Sequence, residues 1–299
     1  MIDPVAFEIG PIQLHWYGII IASAVLIAAV LGSRVAAWLG EDPEEGWSML
    51  LPVIILAVLG ARIYHVIHMW DYYSANPLVI PQIWNGGIGI PGAVAGGALG
   101  ILLYTRSKGL NTARWLDVFA PALLLGQVIG RLGNFVNQEL YGPPTSLCGD
   151  GFPPCLPFGI QIDAAHRAGT PWDAVSFPVE TTQFVPMFAY EMVLNLVGML
   201  VLLYVIRRFG PRLFSGDAAL MYIMWYGAVR TLLETYRVGN WTILGVPTAM
   251  WVGITGFVLA GAWLWYRHRR GWGSPMIKPV EEHDTDAGAA HPQVEATAG

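Results

Sequence analysis

The chain has 299 residues, 55% hydrophobic and only 12% charged, with a formal net charge of −5. Soluble domains carry about 25% charged residues, so the composition excludes an ordinary soluble domain and points to a polytopic membrane protein. The charge balance has no basic surplus that would call for nucleic acid, and the N-terminus lacks the basic region and small-residue cleavage site of a cleaved signal peptide.

Taken in order, the chain shows seven apolar segments predicted as membrane helices: Trp16–Trp38, Trp47–His68, Gly87–Thr105, Trp115–Phe135, Phe184–Ile206, Asp217–Tyr236 and Pro247–Arg267. Each approaches the ~20 residues a helix needs to cross ~30 Å of hydrocarbon. Trp16, Tyr17, Trp38, Trp47, Trp84, Trp115, Trp241 and Trp265 lie near the proposed ends, as in an aromatic belt.

Several segments carry polar groups at helical spacing. On the second, Arg62 and His65 are three residues apart. The glycine-rich run Asn85–Gly92, followed by Gly96, Gly97 and Gly100, opens the third. Such glycines permit close helix packing or a broken backbone beside a ligand. The fourth ends in the run Gly130-Arg131-Leu132-Gly133-Asn134-Phe135-Val136-Asn137-Gln138-Glu139-Leu140-Tyr141-Gly142, with Gln127, Arg131 and Asn134 on one face. A loop of about 45 residues follows, 138–183, holding both cysteines, Cys148 and Cys155. Their spacing allows a local disulfide in an oxidising compartment, and without clustered histidines they make a weak metal site. Glu191 enters the fifth segment behind Pro186 and Tyr190. On the sixth, Tyr226, Arg230, Glu234 and Arg237 keep one face, and Glu234 is expected to pair with an arginine.

Lys and Arg set the orientation. With the N-terminus outside, eleven of the sixteen basic residues fall on the cytoplasmic side and two, Arg167 and Arg237, fall outside. The remaining three, Arg62, Arg131 and Arg230, lie in the outer halves of the second, fourth and sixth segments. Three arginines at one depth suggest a shared anion site opening outward, although each could also snorkel alone to the headgroups. Guanidinium pairs with phosphate bidentately, so an anionic phospholipid of the outer leaflet is the expected ligand. The chain has no HExxH, GxSxG or P-loop pattern, and no metal or cofactor is expected.

The expected fold class is therefore an all-α integral membrane protein of seven transmembrane helices, N-terminus outside and C-terminus cytoplasmic, with one long extracytoplasmic loop between helices 4 and 5. Residues 1–272 form the membrane domain, with 138–183 as its loop subdomain, and the polar tail 273–299 is expected to be disordered and cytoplasmic.

The run from Gly130 to Gly142 resembles the signature of the prolipoprotein diacylglyceryl transferase family. The resemblance extends to His15-Trp16-Tyr17-Gly18, Gly60-Ala61-Arg62, Asn85-Gly86-Gly87, Asp117 with Pro121, Tyr190-Glu191, and Tyr226-Gly227 with Arg230, Glu234 and Arg237. It implies transfer of the diacylglyceryl group of phosphatidylglycerol to the lipobox cysteine of a prolipoprotein, in a bacterial cytoplasmic membrane. On that reading Arg131, Arg230, Asn134, Glu139, Tyr17 and His65 carry catalysis. Arg131, Arg230, Arg62, Asn134, Gly142, Glu234 and Arg237 bind the lipid. Where the family often has a histidine in the glycine-rich segment this chain has Pro91, so the proton acceptor is sought elsewhere, in His65 or Glu139. The competing expectation is a secondary transporter for an anionic solute, since broken helices and buried charges suit one.

Overall fold

A computed structural model describes residues 5–10, 12–150, 152–237 and 239–277. A short antiparallel hairpin, β1 (Val5–Ile9) and β2 (Ile12–His15), leads into α1 (Trp16–Trp38). There follow α2 (Pro43–His68), α3 (Ile90–Ser107), α4 (Thr112–Val136), α5 (Met187–Phe209), α6 (Asp217–Glu234) and α7 (Thr248–Arg270). A second small hairpin, β3 (Thr242–Ile243) and β4 (Val246–Pro247), joins α6 to α7.

Two helices start earlier than expected because a polar side chain caps them ahead of the aromatic residue. Asp42 accepts from Glu44 N–H at 3.0 Å and Pro43 takes the first helical position, so α2 begins before Trp47. Asn111 accepts from Arg114 N–H at 3.2 Å and starts α4 before Trp115. Only α1 keeps both expected ends.

Five helices, α1, α2, α4, α5 and α7, are long and apolar enough to cross a membrane. The chain is a mostly helical, multi-pass membrane protein. The other two, α3 and α6, have 18 residues each. At 1.5 Å per residue such a helix spans roughly 27 Å. Each lies along a longer neighbour, α3 on α2 and α6 on α7.

Glycines make both seams. A Cβ on Gly92 would run into the Gly60 carbonyl, and one on Gly96 into the Leu56 carbonyl. Gly227 and Gly253 abut in the same way between α6 and α7. From Gly92 onward, the glycine-rich segment is thus occupied by helix packing, where loss of the side chain lets backbones touch.

The core sits towards one end of the bundle. Val35, Leu39, Met49, Trp115, Leu124 and Ile206 are fully buried there, joining α1, α2, α4 and α5. The same end is tied by buried ions. Asp117 accepts from Gly216 and Ala219 N–H at 2.6 and 2.9 Å, capping the start of α6. Asp217 pairs with Arg267 at 3.1 Å and with His268 at 2.7 Å, and Arg114 pairs with Glu41 at 2.6 Å.

This end also corrects the expected tail. Residues 273–277 are docked: Met276 is fully buried, its N–H donates to the Leu213 carbonyl at 2.9 Å, and Arg114 donates to the Pro275 carbonyl at 2.9 Å. Met276 supplies an apolar side chain and Arg114 a donor, which the polar composition of the segment conceals. The remainder of that expected tail, 278–299, lies outside the described residues.

The 138–183 loop folds over the opposite end. Cys148 and Cys155 are joined as a disulfide. Arg167, buried, donates to the carbonyls of Ile162 and Phe177 and stacks on Phe184. Ile162, Trp172 and Phe184 form a small core of the loop's own.

Candidate functional site

The polar groups collect where α4, α5 and α6 end near the 138–183 loop. Helix α4 brings Gln127, Arg131 and Asn134 on one face. Arg131 donates to Asn134 Oδ1 at 3.0 Å and to Glu191, which α5 carries one turn from its start. Asn134 in turn donates to Glu139 at 3.3 Å, and Asn137 donates to the other oxygen of Glu139 at 3.3 Å. Arg131, Asn134 and Glu139 thus form one relay. Gln127, a turn below Arg131, donates to the Tyr222 hydroxyl of α6 at 2.9 Å.

Helix α6 repeats the pattern with its own ions. Arg230 meets Glu234 at 2.9 Å, and Arg237, just past the helix end, lies 4.0 Å from the same carboxylate. Burial, and then the like charge of Arg230, hold the Arg237 guanidinium below its usual range, and the field at Arg237 also includes Glu191 and Arg131. The groups of α4, α5 and α6 therefore act on one another as a cluster.

Exposure within the cluster is ordered. The carboxylates are nearly shut away, with side chains of Glu191 and Glu234 7% and 2% exposed, while Arg131 and Arg230 are 24% and 25% exposed. The acids sit behind and orient the guanidinium groups, which face the open side. A buried carboxylate without its partner would cost several kcal/mol, so each pair holds its arginine in place. Glu139 stands at the exposed rim of the same cluster, so the two buried acids lie behind the arginines and the third carboxylate beside them.

The turn after α4 is shaped rather than loose. Gln138 and Leu140 adopt φ of 51° and 57°, a region that non-glycine residues rarely occupy. Both are held: Gln138 makes a two-point contact with Asp163, both bonds 2.7 Å, and the Leu140 carbonyl accepts from Phe188 N–H at 3.0 Å. Two such residues flank Glu139, whose carboxylate takes the amides of Asn134 and Asn137.

Other expected site residues lie differently. The ring of Tyr17 packs on Gly133, where a Cβ would collide with it, and so supports the wall beside Arg131. Gly142 donates to the Val185 carbonyl at 2.8 Å, and a Cβ there would press on Met187 and Val185. Its place is in the joint between α4 and α5.

Arg62 does not present itself to a ligand. It is 6% exposed, and it donates to the carbonyls of Val79, Ile80, Gly86 and Gly87 at 2.7 to 2.8 Å while stacking on Tyr73. It clamps the 79–87 segment to α2. His65 belongs to that clamp, edge-on to Tyr73 and against Gly87. Helical spacing alone could not separate a clamp from a ligand site, because both place an arginine on an inward face.

Glu191 is the residue that sequence reasoning noticed without assigning. Its signal was a lone carboxylate one turn into an apolar helix, which needs a buried partner.

Known proteins resemble this chain over most of its length. Residues 4–267 match the family model described as prolipoprotein diacylglyceryl transferase. A protein of Chloroflexus aggregans named phosphatidylglycerol–prolipoprotein diacylglyceryl transferase is 39% identical over 285 residues, covering 90% of this chain and 90% of that one. Proteins of the same name from Leifsonia xyli subsp. xyli and Streptococcus equi subsp. zooepidemicus are 37% and 35% identical, over 92% and 90% of this chain and 85% and 97% of theirs.

Proposed function

The chain belongs to the prolipoprotein diacylglyceryl transferase family, and from that premise we propose the reaction it performs and the residues that perform it. It is a transferase that moves the sn-1,2-diacylglyceryl group of phosphatidylglycerol to the cysteine thiol of a prolipoprotein. A thioether forms and glycerol 1-phosphate leaves. The observation that carries the site assignment is the convergence of Arg131, Arg230 and Arg237 in front of two buried carboxylates.

All seven long helices cross the bacterial cytoplasmic membrane, N-terminus outside. The asymmetry of Lys and Arg supports this orientation. The cluster then opens to the outer leaflet, the 138–183 loop is extracytoplasmic, and the site meets both the lipid headgroup and the lipobox of the acceptor.

Arg131 and Arg230 bind the phosphate diester of the lipid, and Arg237 adds charge from the rim. The sulfur attacks the glycerol carbon that bears the phosphate ester. The carbon–oxygen bond breaks, and its electron pair leaves on the phosphate of glycerol 1-phosphate, where the same arginines stabilise it. Before attack the arginine field favours the thiolate. Glu139, exposed and one relay from Arg131, accepts the thiol proton; His65, held in the Arg62 clamp, is the less suited of the two candidates. Asn134 keeps Arg131 and Glu139 in register.

The test is direct. Purified protein is mixed with phosphatidylglycerol and a lipobox peptide, and the peptide is weighed. A diacylglyceryl adduct, absent from a Cys→Ser peptide, supports the reading; no adduct beside an active relative rejects it.

A further inference from the structure

The run that ends α4 also walls a cavity which the phosphate site leaves unused. Its volume is about 360 Å3, at the lower end of the ~300–1,000 Å3 typical of ligand sites. Three separate parts of the chain build it: Glu139 and Tyr141 after α4, His166 and Trp172 from the long loop, and Arg237 and Asn240 beyond α6.

The cavity is a constructed feature. The Tyr141 hydroxyl donates to the His166 carbonyl at 2.8 Å, tying two walls together, and the Gln138–Asp163 contact ties them again. Trp172 is 7% exposed, wedged against Phe152 and Phe177. Asn240 carries an amide nitrogen that is shut from solvent and has no acceptor among the described residues. A buried donor left unpaired is costly, and this one lies on the cavity wall.

We propose that this cavity receives the acceptor peptide's main chain immediately after the reacting cysteine. The proposal rests on the transferase reading above. Glu139 and Arg237 belong both to the cluster and to the cavity wall, so a thiol at the cluster has its own chain at the cavity mouth. An extended chain advances roughly 3.3–3.6 Å per residue, and a space of this volume suits a few residues. The lining selects the occupant. Glu139 accepts and Asn240 donates, which matches the alternating N–H and C=O of a neutral main chain. A free phosphate would meet the like charge of Glu139, and an acyl tail would strand these polar groups. Tyr141 and Trp172 supply flat walls for short side chains.

The experiment compares two lipobox peptides, one ending at the amidated cysteine and one continuing for three neutral residues. For the unaltered enzyme kcat/KM should be about tenfold higher with the longer peptide, the effect of one or two hydrogen bonds. Asn240→Leu should shrink that gain to about twofold or less, and so should Asn240→Asp, which keeps the size and lacks the donor. The ratio is taken within each preparation, so loss of folded protein cancels.

Equal kcat/KM for the two peptides in the unaltered enzyme overturns the proposal. So does a full gain retained by both variants. A variant that keeps the gain but is less inhibited by added glycerol 1-phosphate would make the cavity the leaving group's chamber, and would also overturn it. No adduct from either peptide brings down the transferase reading as well, whereas adducts formed at equal rates bring down this proposal alone.

Discussion

At the scale of single residues, the protein separates arginines that look alike. Arg131 and Arg230 stand before buried acids and keep open faces; Arg62 has its donors committed to four backbone carbonyls. Different failures should follow. Arg131→Lys and Arg230→Lys, which keep a cation beside the buried acids and lose the guanidinium fork, should each lower turnover by ~100-fold, the scale of losing a donor to a developing charge, with the melting temperature held to within a few degrees. Arg62→Ala should mainly lower the melting temperature, since it leaves buried carbonyls unpaired at roughly 1–3 kcal/mol for each unmet group. Thermal unfolding in detergent beside a lipid-transfer assay distinguishes them; an Arg62→Ala protein with unchanged stability and no activity would return Arg62 to the ligand site. The inward faces of all three arginines were legible from spacing. The pairing of Glu234 with Arg230 was legible too; the partners of Arg131 and Arg62 were not, because Glu191 is sixty residues from Arg131 and the Arg62 carbonyls belong to a segment without periodicity.

At the scale of elements, apolar length located the helices, and side-chain chemistry that periodicity does not register set their ends and seams. Asp42 and Asn111 begin helices that hydropathy alone would start later. The glycine-rich third segment read equally well as packing surface or broken backbone, and contact between α2 and α3 decides for packing from Gly92 onward. Replacing Gly96 with leucine should therefore force the two helices apart, at a cost beyond the ~1–3 kcal/mol of ordinary overpacking. Folded yield and melting temperature should both fall, and a well-folded Gly96→Leu protein would refute the seam. Asp117 belongs at this scale too. It caps α6 from the end of α4 opposite the anion cluster. Asp117→Asn should weaken that cap and reduce stability by roughly 1 kcal/mol, read as a fall in melting temperature, with the anion cluster intact.

At the scale of the whole molecule, buried ions and a docked segment close one end, and the other end is left for chemistry beneath a folded loop. Truncation tests the closed end. A chain ending after residue 272 should melt below one ending after residue 277, because it loses the burial of Met276, worth ~1.5–3 kcal/mol, and the Arg114 bond to Pro275. Equal stability of the two truncations would show that the segment contributes nothing. Topology is tested by single cysteines in a background lacking Cys148 and Cys155: one at Ser176 should react with an impermeant reagent added outside intact cells, and one at Ser107 only after lysis.

The sequence by itself determined that the chain enters a membrane, which faces carry charge and which family it joins, because hydropathy, helical spacing and a contiguous motif are local properties. Only the tertiary structure decided which arginines remain open to a ligand. That choice depends on where the carboxylates of α5 and α6 and the carbonyls of distant loops come to rest, and a guanidinium whose donors meet buried backbone has few left to offer a phosphate.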